Sequence, residues 1–180
     1  MSTNENCRSY THYQNNYAMV KNLLLIRHAE AEFPDSDTRD FERNLTANGK
    51  NQATILGEYI NKLPLKLDAI YISPAFRTLK TAKLIAEQFD YTPRLIEAEE
   101  LYDATENLMK AFVNRMDPLF QHVAIVGHNP SIAELFAYLT RSICTYSPAT
   151  CAWVGLAVDE WSAVSSNLGL EKDYYYPGMS

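Results

Sequence analysis

The stretch LLLIRHAE, residues 23–30, carries an uninterrupted aliphatic run that stops at Arg27 and His28. A short apolar run without polar alternation predicts a strand buried on both faces, as in parallel sheets covered by helices. Core strands avoid charged and imidazole side chains, so burial alone gives no reason for this ending. We therefore expect Arg27 and His28 to face a ligand at the carboxyl end of the strand.

The segments that follow alternate between apolar runs and amphipathic periods. Apolar runs predict strands in LDAIYISP (67–74), HVAIVGH (122–128) and CAWVGLAVDEW (151–161), and an edge strand in PRLIEAEEL (93–101). Apolar residues at helical spacing predict helices in 45–63, where Thr46 is a candidate cap, and in 75–89, 104–116 and 131–140. This alternation predicts an α/β fold with a mostly parallel sheet and helices on both of its faces.

The length of the chain predicts one globular domain. A chain of 180 residues, 47% of them hydrophobic, is long enough for one well-formed core and too short for two comfortable ones. The polar, Asn- and Tyr-rich beginning predicts an N-terminal tail over residues 1–21. The domain is then expected over 22–176, with a short C-terminal tail over 177–180.

Charge and composition narrow the partners and the location. A net charge of -6 and the lack of a Lys/Arg run argue against a general nucleic-acid binder. The three cysteines match no metal-ligand spacing, and their odd number favours free thiols in a reducing compartment. No apolar run approaches the roughly 20 residues that span a bilayer, and the beginning lacks a signal-peptide pattern. We expect a cytoplasmic protein without a nucleic-acid or membrane partner.

Three of the predicted strands end in polar residues that parallel pairing would bring to one rim. They are Arg27 and His28, then Ser73 with Arg77 one turn into the next helix, and finally His128. Guanidinium groups match phosphate oxygens bidentately, so two arginines at this rim predict a phosphoryl site. A neutral imidazole is a competent nucleophile at phosphorus, which makes covalent phosphohistidine catalysis the favoured chemistry.

Three blocks of the chain resemble the signature blocks of the histidine phosphatase superfamily, whose fold is phosphoglycerate mutase-like. The blocks are LIRHAEAE (25–32), SPAFRTLKTA (73–82) and VAIVGHNP (123–130), and they are most similar to those of the SixA-like phosphohistidine phosphatases. The resemblance implies a three-layer α/β/α sandwich and no metal or cofactor. It also implies that His28 is phosphorylated, that Arg27 and Arg77 grip the phosphate, and that His128 is a further phosphate donor.

One residue departs from the usual first block of this superfamily, which reads Arg-His-Gly. Ala29 stands where many members have glycine. Its methyl group fits if the backbone keeps a negative φ, and it would cost stability if the loop needed a positive one.

No motif identifies the residue that would protonate the leaving group. The segment EAEELYDAT (97–105) contains the candidates Glu99, Glu100 and Asp103, and Glu100 is the first choice among them. Glu30 and Glu32 are weaker candidates. Arg43 either lines the mouth of the pocket or is a solvated arginine. Imidazole can leave a phosphohistidine in protonated form, so a P–N substrate needs little help from an enzymic acid.

The sequence thus predicts a metal-independent phosphatase that acts through a phosphohistidine intermediate. The expected substrate is a phosphohistidine in a protein or another activated phosphoryl compound. Two alternatives remain open at this point, a non-catalytic phosphate-recognising module of the same fold and a small-molecule phosphomonoesterase. A mutase is less well supported, because it needs a secure acid and longer inserts.

Overall fold

The computed structural model describes residues 21–34 and 39–179, together with a two-residue strand near the N-terminus. The strands are β1 (Cys7–Arg8), β2 (Lys21–Arg27), β3 (Ala69–Ile72), β4 (Arg94–Glu97), β5 (His122–Gly127), β6 (Ile143–Cys144), β7 (Cys151–Leu156) and β8 (Gly169–Tyr175). The helices are α1 (Ala47–Asn61), α2 (Phe76–Ala86), α3 (Glu106–Val113) and α4 (Ser131–Thr140). Short 3₁₀ turns lie at Asp40–Glu42, Glu99–Leu101 and Trp161–Ala163.

Six of the strands form one sheet in the order β4-β3-β5-β2-β7-β8. The first four run parallel to one another, whereas β7 and β8 are antiparallel to their neighbours. The predicted mostly parallel sheet is confirmed, and so is the edge position of the strand in residues 93–101. Strand β8 was not predicted, because the three consecutive charged residues at its centre, 171–173, leave neither a continuous apolar run nor an alternating pattern.

Helices cover the sheet on both faces, which confirms the predicted three-layer α/β/α sandwich. Along β2, Leu23 and Leu25 pack into the cluster that contains α3 and α4, whereas Leu24 and Ile26 pack into the cluster that contains α1 and α2. All four side chains are fully buried. Burial of each contributes about 1.5–3 kcal/mol to folding. The uninterrupted aliphatic run is therefore explained by burial on two faces, as expected.

The central strand begins one residue earlier than the predicted domain boundary. Lys21 is fully buried, and its Nζ donates to the carbonyl oxygens of Pro118 at 2.9 Å and Phe120 at 2.8 Å. These bonds compensate for the cost of burying the ammonium group. The N-terminal tail predicted for residues 1–21 otherwise lies outside the described residues, except that β1 pairs with β6 in a separate antiparallel ladder.

Two further expectations concern the environment of the chain. Cys144 is disulfide-bonded, so the expectation of free thiols is wrong at this residue, whereas Cys151 is a buried free thiol. Over residues 21–34 and 39–179, none of the helices combines the length and the apolar character needed to cross a bilayer.

The first turn of α1 locks onto the loop that follows β2. The Thr46 hydroxyl accepts from the Gly49 N–H at 2.9 Å, which confirms the predicted cap, and donates to the Glu30 carboxylate at 2.6 Å. The Thr46 N–H donates to the Glu30 carbonyl at 3.1 Å. A Cβ atom on Gly49 would lie 1.9 Å from that carbonyl oxygen. Only glycine therefore allows the helix to approach the loop this closely.

Gly49→Ala is expected to destabilise the protein by about 3 kcal/mol, because the new methyl group must displace backbone atoms rather than a flexible side chain. Urea unfolding measures this as a lower midpoint. The matched control is Lys50→Ala, an exposed position in the same turn, which should change stability by less than about 0.5 kcal/mol. A Gly49→Ala protein as stable as wild type would show that this packing is not required.

Candidate active site

The carboxyl ends of β2, β3 and β5 surround a cavity of about 330 Å³. Its wall contains the four residues that the sequence motifs single out, Arg27, His28, Arg77 and His128. They come from three separate stretches of the chain, and parallel pairing of β2 with β5 and of β3 with β5 brings them together. The wall is completed by Asp40, Arg43, Tyr102, Asp103 and Asn129.

His28 is held by its backbone and by one ring nitrogen. Its N–H donates to the Gly127 carbonyl at 3.0 Å, and its own carbonyl accepts from the Ala149 N–H at 3.1 Å. The ring Nδ1 lies 2.8 Å from the Ala29 carbonyl oxygen. Because a carbonyl can only accept, Nδ1 carries the proton and the neutral ring has its lone pair on Nε2. The nucleophilic nitrogen of a neutral His28 is therefore Nε2.

The electrostatics of the site keep His28 neutral. Burial is the main cause that lowers the pKa of His28 to about 4, and the positive charges of Arg77, Arg27 and Arg43 lower it further. The hydrogen bond to Ala29 acts in the opposite direction. A neutral ring at pH 7 keeps the Nε2 lone pair available for attack on phosphorus.

His128 lies beside His28, with a distance of 5.2 Å between the ring centroids. Its Nε2 is 2.8 Å from the Ser73 hydroxyl oxygen, and its Nδ1 is 3.4 Å from Nη2 of Arg77. Burial, followed by the charge of Arg77, lowers the pKa of His128 to about 3, so this ring is also neutral. Because a guanidinium can only donate, Nδ1 of His128 accepts from Arg77, and Nε2 carries the proton, which it donates to the Ser73 hydroxyl oxygen.

Two arginines supply buried hydrogen-bond donors to the cavity wall. The Arg27 Nη1 donates to the Tyr146 carbonyl at 2.7 Å, and the Arg77 Nη1 donates to the Asp40 carbonyl at 2.6 Å. The Nε of each guanidinium is buried and has no hydrogen-bond partner among the described residues. A buried donor without a partner costs about 1–3 kcal/mol, more when it is charged. Together the two guanidinium groups make the cavity wall cationic, which favours an oxyanion as its ligand.

Asp40 and Tyr102 also line the cavity, although no sequence pattern identifies them as site residues. The Asp40 carboxylate accepts from Nη1 of Arg43 at 2.9 Å, from Nη2 of Arg77 at 3.0 Å and from the Tyr102 hydroxyl at 3.0 Å. Burial opposes ionisation of Asp40, but the bond from Arg43 and the charge of Arg77 outweigh it and lower its pKa to about 2. Arg43 does lie at the cavity, as one of its two interpretations predicted.

The predicted acid is not brought to the cavity. Glu100, in the 3₁₀ turn Glu99–Leu101, forms an exposed ion pair with Arg115, two residues beyond the end of α3, at 2.8 Å. Glu30 is engaged with the first turn of α1, as described above. Asp103 is the one carboxylate from the 97–105 segment that lines the cavity among the described residues.

The alanine that follows His28, where the resemblance leads one to expect glycine, fits without strain. Ala29 is fully buried, and it is not among the described residues with a positive φ. Its N–H donates to the Thr81 hydroxyl at 3.1 Å. The methyl group therefore packs in the core while the backbone of the loop is tied to α2.

The lowered pKa of His28 predicts an unusual titration. The ring resonances assigned to His28, identified by their loss in His28→Gln, should titrate near pH 4 in the ligand-free protein instead of near the ordinary value of about 6.5. Because the unfolded ring takes up its proton at the higher pH, His28 lowers folding stability progressively as the pH falls from about 6.5 to 4. Two-dimensional NMR of the imidazole groups measures the midpoint. A midpoint above 6 would contradict the electrostatics described here.

Two of the three sequence blocks lie in a stretch that matches a known family. A family model described as the histidine phosphatase superfamily (branch 1) matches residues 23–104, which hold the first two blocks. Over this stretch the chain is similar to the histidine phosphatase superfamily. His128 lies beyond the matched residues, and the fold places it in the same cavity as His28.

Curated proteins match parts of the chain. The mitochondrial serine/threonine-protein phosphatase Pgam5 of Drosophila willistoni is 31% identical over 88 residues, which are 48% of this chain and 30% of that protein. The chain therefore spans less than a third of that phosphatase.

Solved structures match the fold over most of the chain. A Nakamurella multipartitia protein assigned as the phosphohistidine phosphatase SixA has a TM-score of 0.78 at 21% identity, with 91% of this chain and all of that chain covered. The protein histidine phosphatase SixA in complex with tungstate has a TM-score of 0.73 at 18% identity, covering 87% and 97% of the two chains. This similarity concerns the fold, which is the phosphoglycerate mutase-like sandwich predicted from the sequence.

Proposed function

We propose that this chain is a metal-independent phosphatase that acts through a phosphorylated His28, on phosphohistidine in a protein or on another activated phosphoryl compound. One observation carries the proposal. The cavity combines a neutral imidazole, whose lone pair is on Nε2, with two arginines whose buried Nε–H groups have no hydrogen-bond partner among the described residues. The match of residues 23–104 to the histidine phosphatase superfamily supports the same reaction class.

The proposed reaction has two displacements. The phosphoryl oxygens bind to the guanidinium groups of Arg27 and Arg77 and to the Nε2–H of His128, which exchanges its Ser73 partner for the phosphate, while Nε2 of His28 attacks phosphorus in line. The new N–P bond forms as the bond to the leaving group breaks, and the leaving group takes its electron pair. A water molecule then attacks the phospho-His28, which releases inorganic phosphate and restores the neutral ring.

The carboxylates of the cavity support a substrate with a good leaving group. Asp40 is fully engaged with three donors, and its low pKa leaves it without a proton to donate at pH 7. Asp103 is then the remaining carboxylate of the described cavity wall. Imidazole leaves as a neutral or protonated ring, whereas an alkoxide needs a proton from an acid. This favours a P–N bond over an alkyl ester and keeps a small-molecule phosphomonoesterase as the second candidate.

A non-catalytic phosphate-recognising module is the alternative from another functional class. It would need the same arginines but no available nucleophile. The position of His28 Nε2 favours the enzyme, because a binding module has no need of an activated ring nitrogen. The cytoplasmic location and the identity of the phosphorylated partner protein remain predictions from the sequence.

Asp103→Asn separates the two enzymatic candidates. If the substrate carries a P–N bond, this change should alter its turnover by less than about threefold, while hydrolysis of an alkyl phosphate falls by about 10²-fold or more. The measurement is kcat/KM for both substrates with each protein. A large loss on the P–N substrate would show that Asp103 protonates the leaving group there as well.

The direct test of the function is phosphate release by the wild-type protein in the presence of a metal chelator. A phosphohistidine-bearing protein, phosphoramidate, an aryl phosphate and an alkyl phosphate are compared at equal concentration. We expect release that resists the chelator, with kcat/KM highest for the P–N substrates. If nothing is released while tungstate still binds, the binding module is the correct function. If the alkyl ester is preferred, the phosphomonoesterase is correct.

A further inference from the structure

Arg77 owes its orientation to a carboxylate that comes from a distant part of the chain. The Arg77 side chain is 7% exposed, and within the described residues its salt bridge is to Asp40, at 3.0 Å from Nη2 to Oδ2. The backbone carbonyl of Asp40 accepts from Nη1 at 2.6 Å. Asp40 therefore occupies the Nη end of the guanidinium, which leaves the edge that carries the unpartnered Nε–H.

The Asp40 carboxylate also links the 3₁₀ turn Asp40–Glu42 to other residues that line the cavity. Asp40 opens the 3₁₀ turn Asp40–Glu42, and it also accepts from Arg43 and from the Tyr102 hydroxyl. The next residue, Phe41, places its ring 5.2 Å from that of Tyr102 and 6.1 Å from that of Phe76, the residue before Arg77. Ring contacts and hydrogen bonds thus fix the turn against the start of α2.

We propose that Asp40 is a positioning residue of the phosphate site, which fixes the guanidinium of Arg77 in the cavity wall and ties Arg43 and Tyr102 to the same point. The proposal rests on the phosphatase function proposed above. Asp40 does not touch the reacting atoms. Its contribution to the rate passes through the geometry of Arg77, since guanidinium donors stabilise the transition state only when they point at the developing charge.

The charge of Asp40 makes this role distinguishable from a merely structural one. Three arginines and two carboxylates line the cavity. Replacement of Asp40 by asparagine removes one negative charge, so the ground-state affinity for an anion should rise or stay the same. Lost positioning of Arg77 should lower kcat at the same time. A general disruption of the site would weaken anion binding and turnover together.

The test compares Asp40→Asn with Glu42→Gln, a matched control in the same turn whose carboxylate pairs with Arg39 and does not line the cavity. For Asp40→Asn we expect kcat on phosphoramidate to fall about 30-fold while the Kd for tungstate, measured by calorimetry, does not increase. Glu42→Gln should leave both within about twofold of wild type. An unchanged kcat in Asp40→Asn, or a joint loss of kcat and tungstate binding, would overturn the proposal.

A double-mutant cycle with Arg77→Ala tests whether Asp40 acts through Arg77. If it does, Asp40→Asn should change kcat by less than about threefold in the Arg77→Ala background, against about 30-fold in wild type. Equal effects in both backgrounds would contradict the proposal. If the wild type hydrolyses nothing, the phosphatase function fails, and the Nε–H resonance of Arg77, identified by its loss in Arg77→Ala, decides the role of Asp40. A shift of that resonance in Asp40→Asn but not in Glu42→Gln supports it, and an unchanged resonance overturns it.

Discussion

We expect His28→Ala to lower kcat/KM on every substrate by at least about 10⁴-fold, because in the proposed reaction it removes the atom that accepts the phosphoryl group. The ring that is lost lies in a cavity whose anion-binding groups come from other residues, chiefly Arg27 and Arg77. Tungstate should therefore still bind, with a Kd within about tenfold of wild type. The combination of lost turnover and retained anion binding is the expected signature of a missing nucleophile.

The control for this variant is His122→Asn. His122 begins β5 at the opposite end from the cavity, and its Nδ1 is 3.0 Å from the Asn22 side-chain nitrogen. Its replacement should leave kcat/KM within about threefold of wild type. If His28→Ala kept wild-type turnover, another group would be the nucleophile. If it lost tungstate binding as well, its effect would be structural.

Arg77→Ala lowers kcat/KM by about 10³-fold, equivalent to roughly 4 kcal/mol of transition-state stabilisation. The side chain supplies a buried Nε–H donor, and its charge lowers the pKa of both cavity histidines. We expect weaker tungstate binding and a lower kcat, since the guanidinium contacts the phosphoryl group in the ground state and in the transition state. Arg77→Lys should restore less than about tenfold of the loss, because an ammonium group cannot reproduce the planar fork.

The matched control for Arg77 is Arg115→Ala. Arg115 pairs with Glu100 at the surface and is absent from the cavity wall, so kcat/KM should stay within about twofold of wild type. An unchanged kcat/KM in Arg77→Ala would show that this arginine does not hold the phosphate. A loss in Arg115→Ala comparable to that in Arg77→Ala would show that Glu100 takes part after all.

The parts of the fold and site that could be predicted are those encoded by local pattern. The aliphatic run of residues 23–26 identifies a strand buried on two faces, and Arg27 and His28 follow it directly. The same reasoning applies to His128 after β5 and to Arg77 in the first turn of α2. Since the carboxyl ends of parallel strands lie at one edge of a sheet, the convergence of these residues follows from the topology.

The residues that could not be predicted depend on contacts between distant segments. Asp40 and Tyr102 are 62 positions apart and meet only because the turn at Asp40–Glu42 folds over the start of α2. The spacing of Asp40 and Arg43 was the available signal, since side chains three residues apart can pair across one turn. The choice between Glu100 and Asp103 depends on the direction of a 3₁₀ turn, which composition does not determine.

The measurement that tests the central claim most directly is a rapid-quench search for the phosphorylated enzyme. Wild type and His28→Ala are mixed with ³²P-labelled phosphoramidate, quenched in base, and analysed for protein-bound phosphate. We expect a transient phosphoprotein in wild type and none in His28→Ala. A phosphorus–nitrogen bond is stable in base and labile in acid, so the phosphoprotein should survive base and be lost in acid. Substantial phosphate release without any such species, or the same species in His28→Ala, would contradict the proposed reaction.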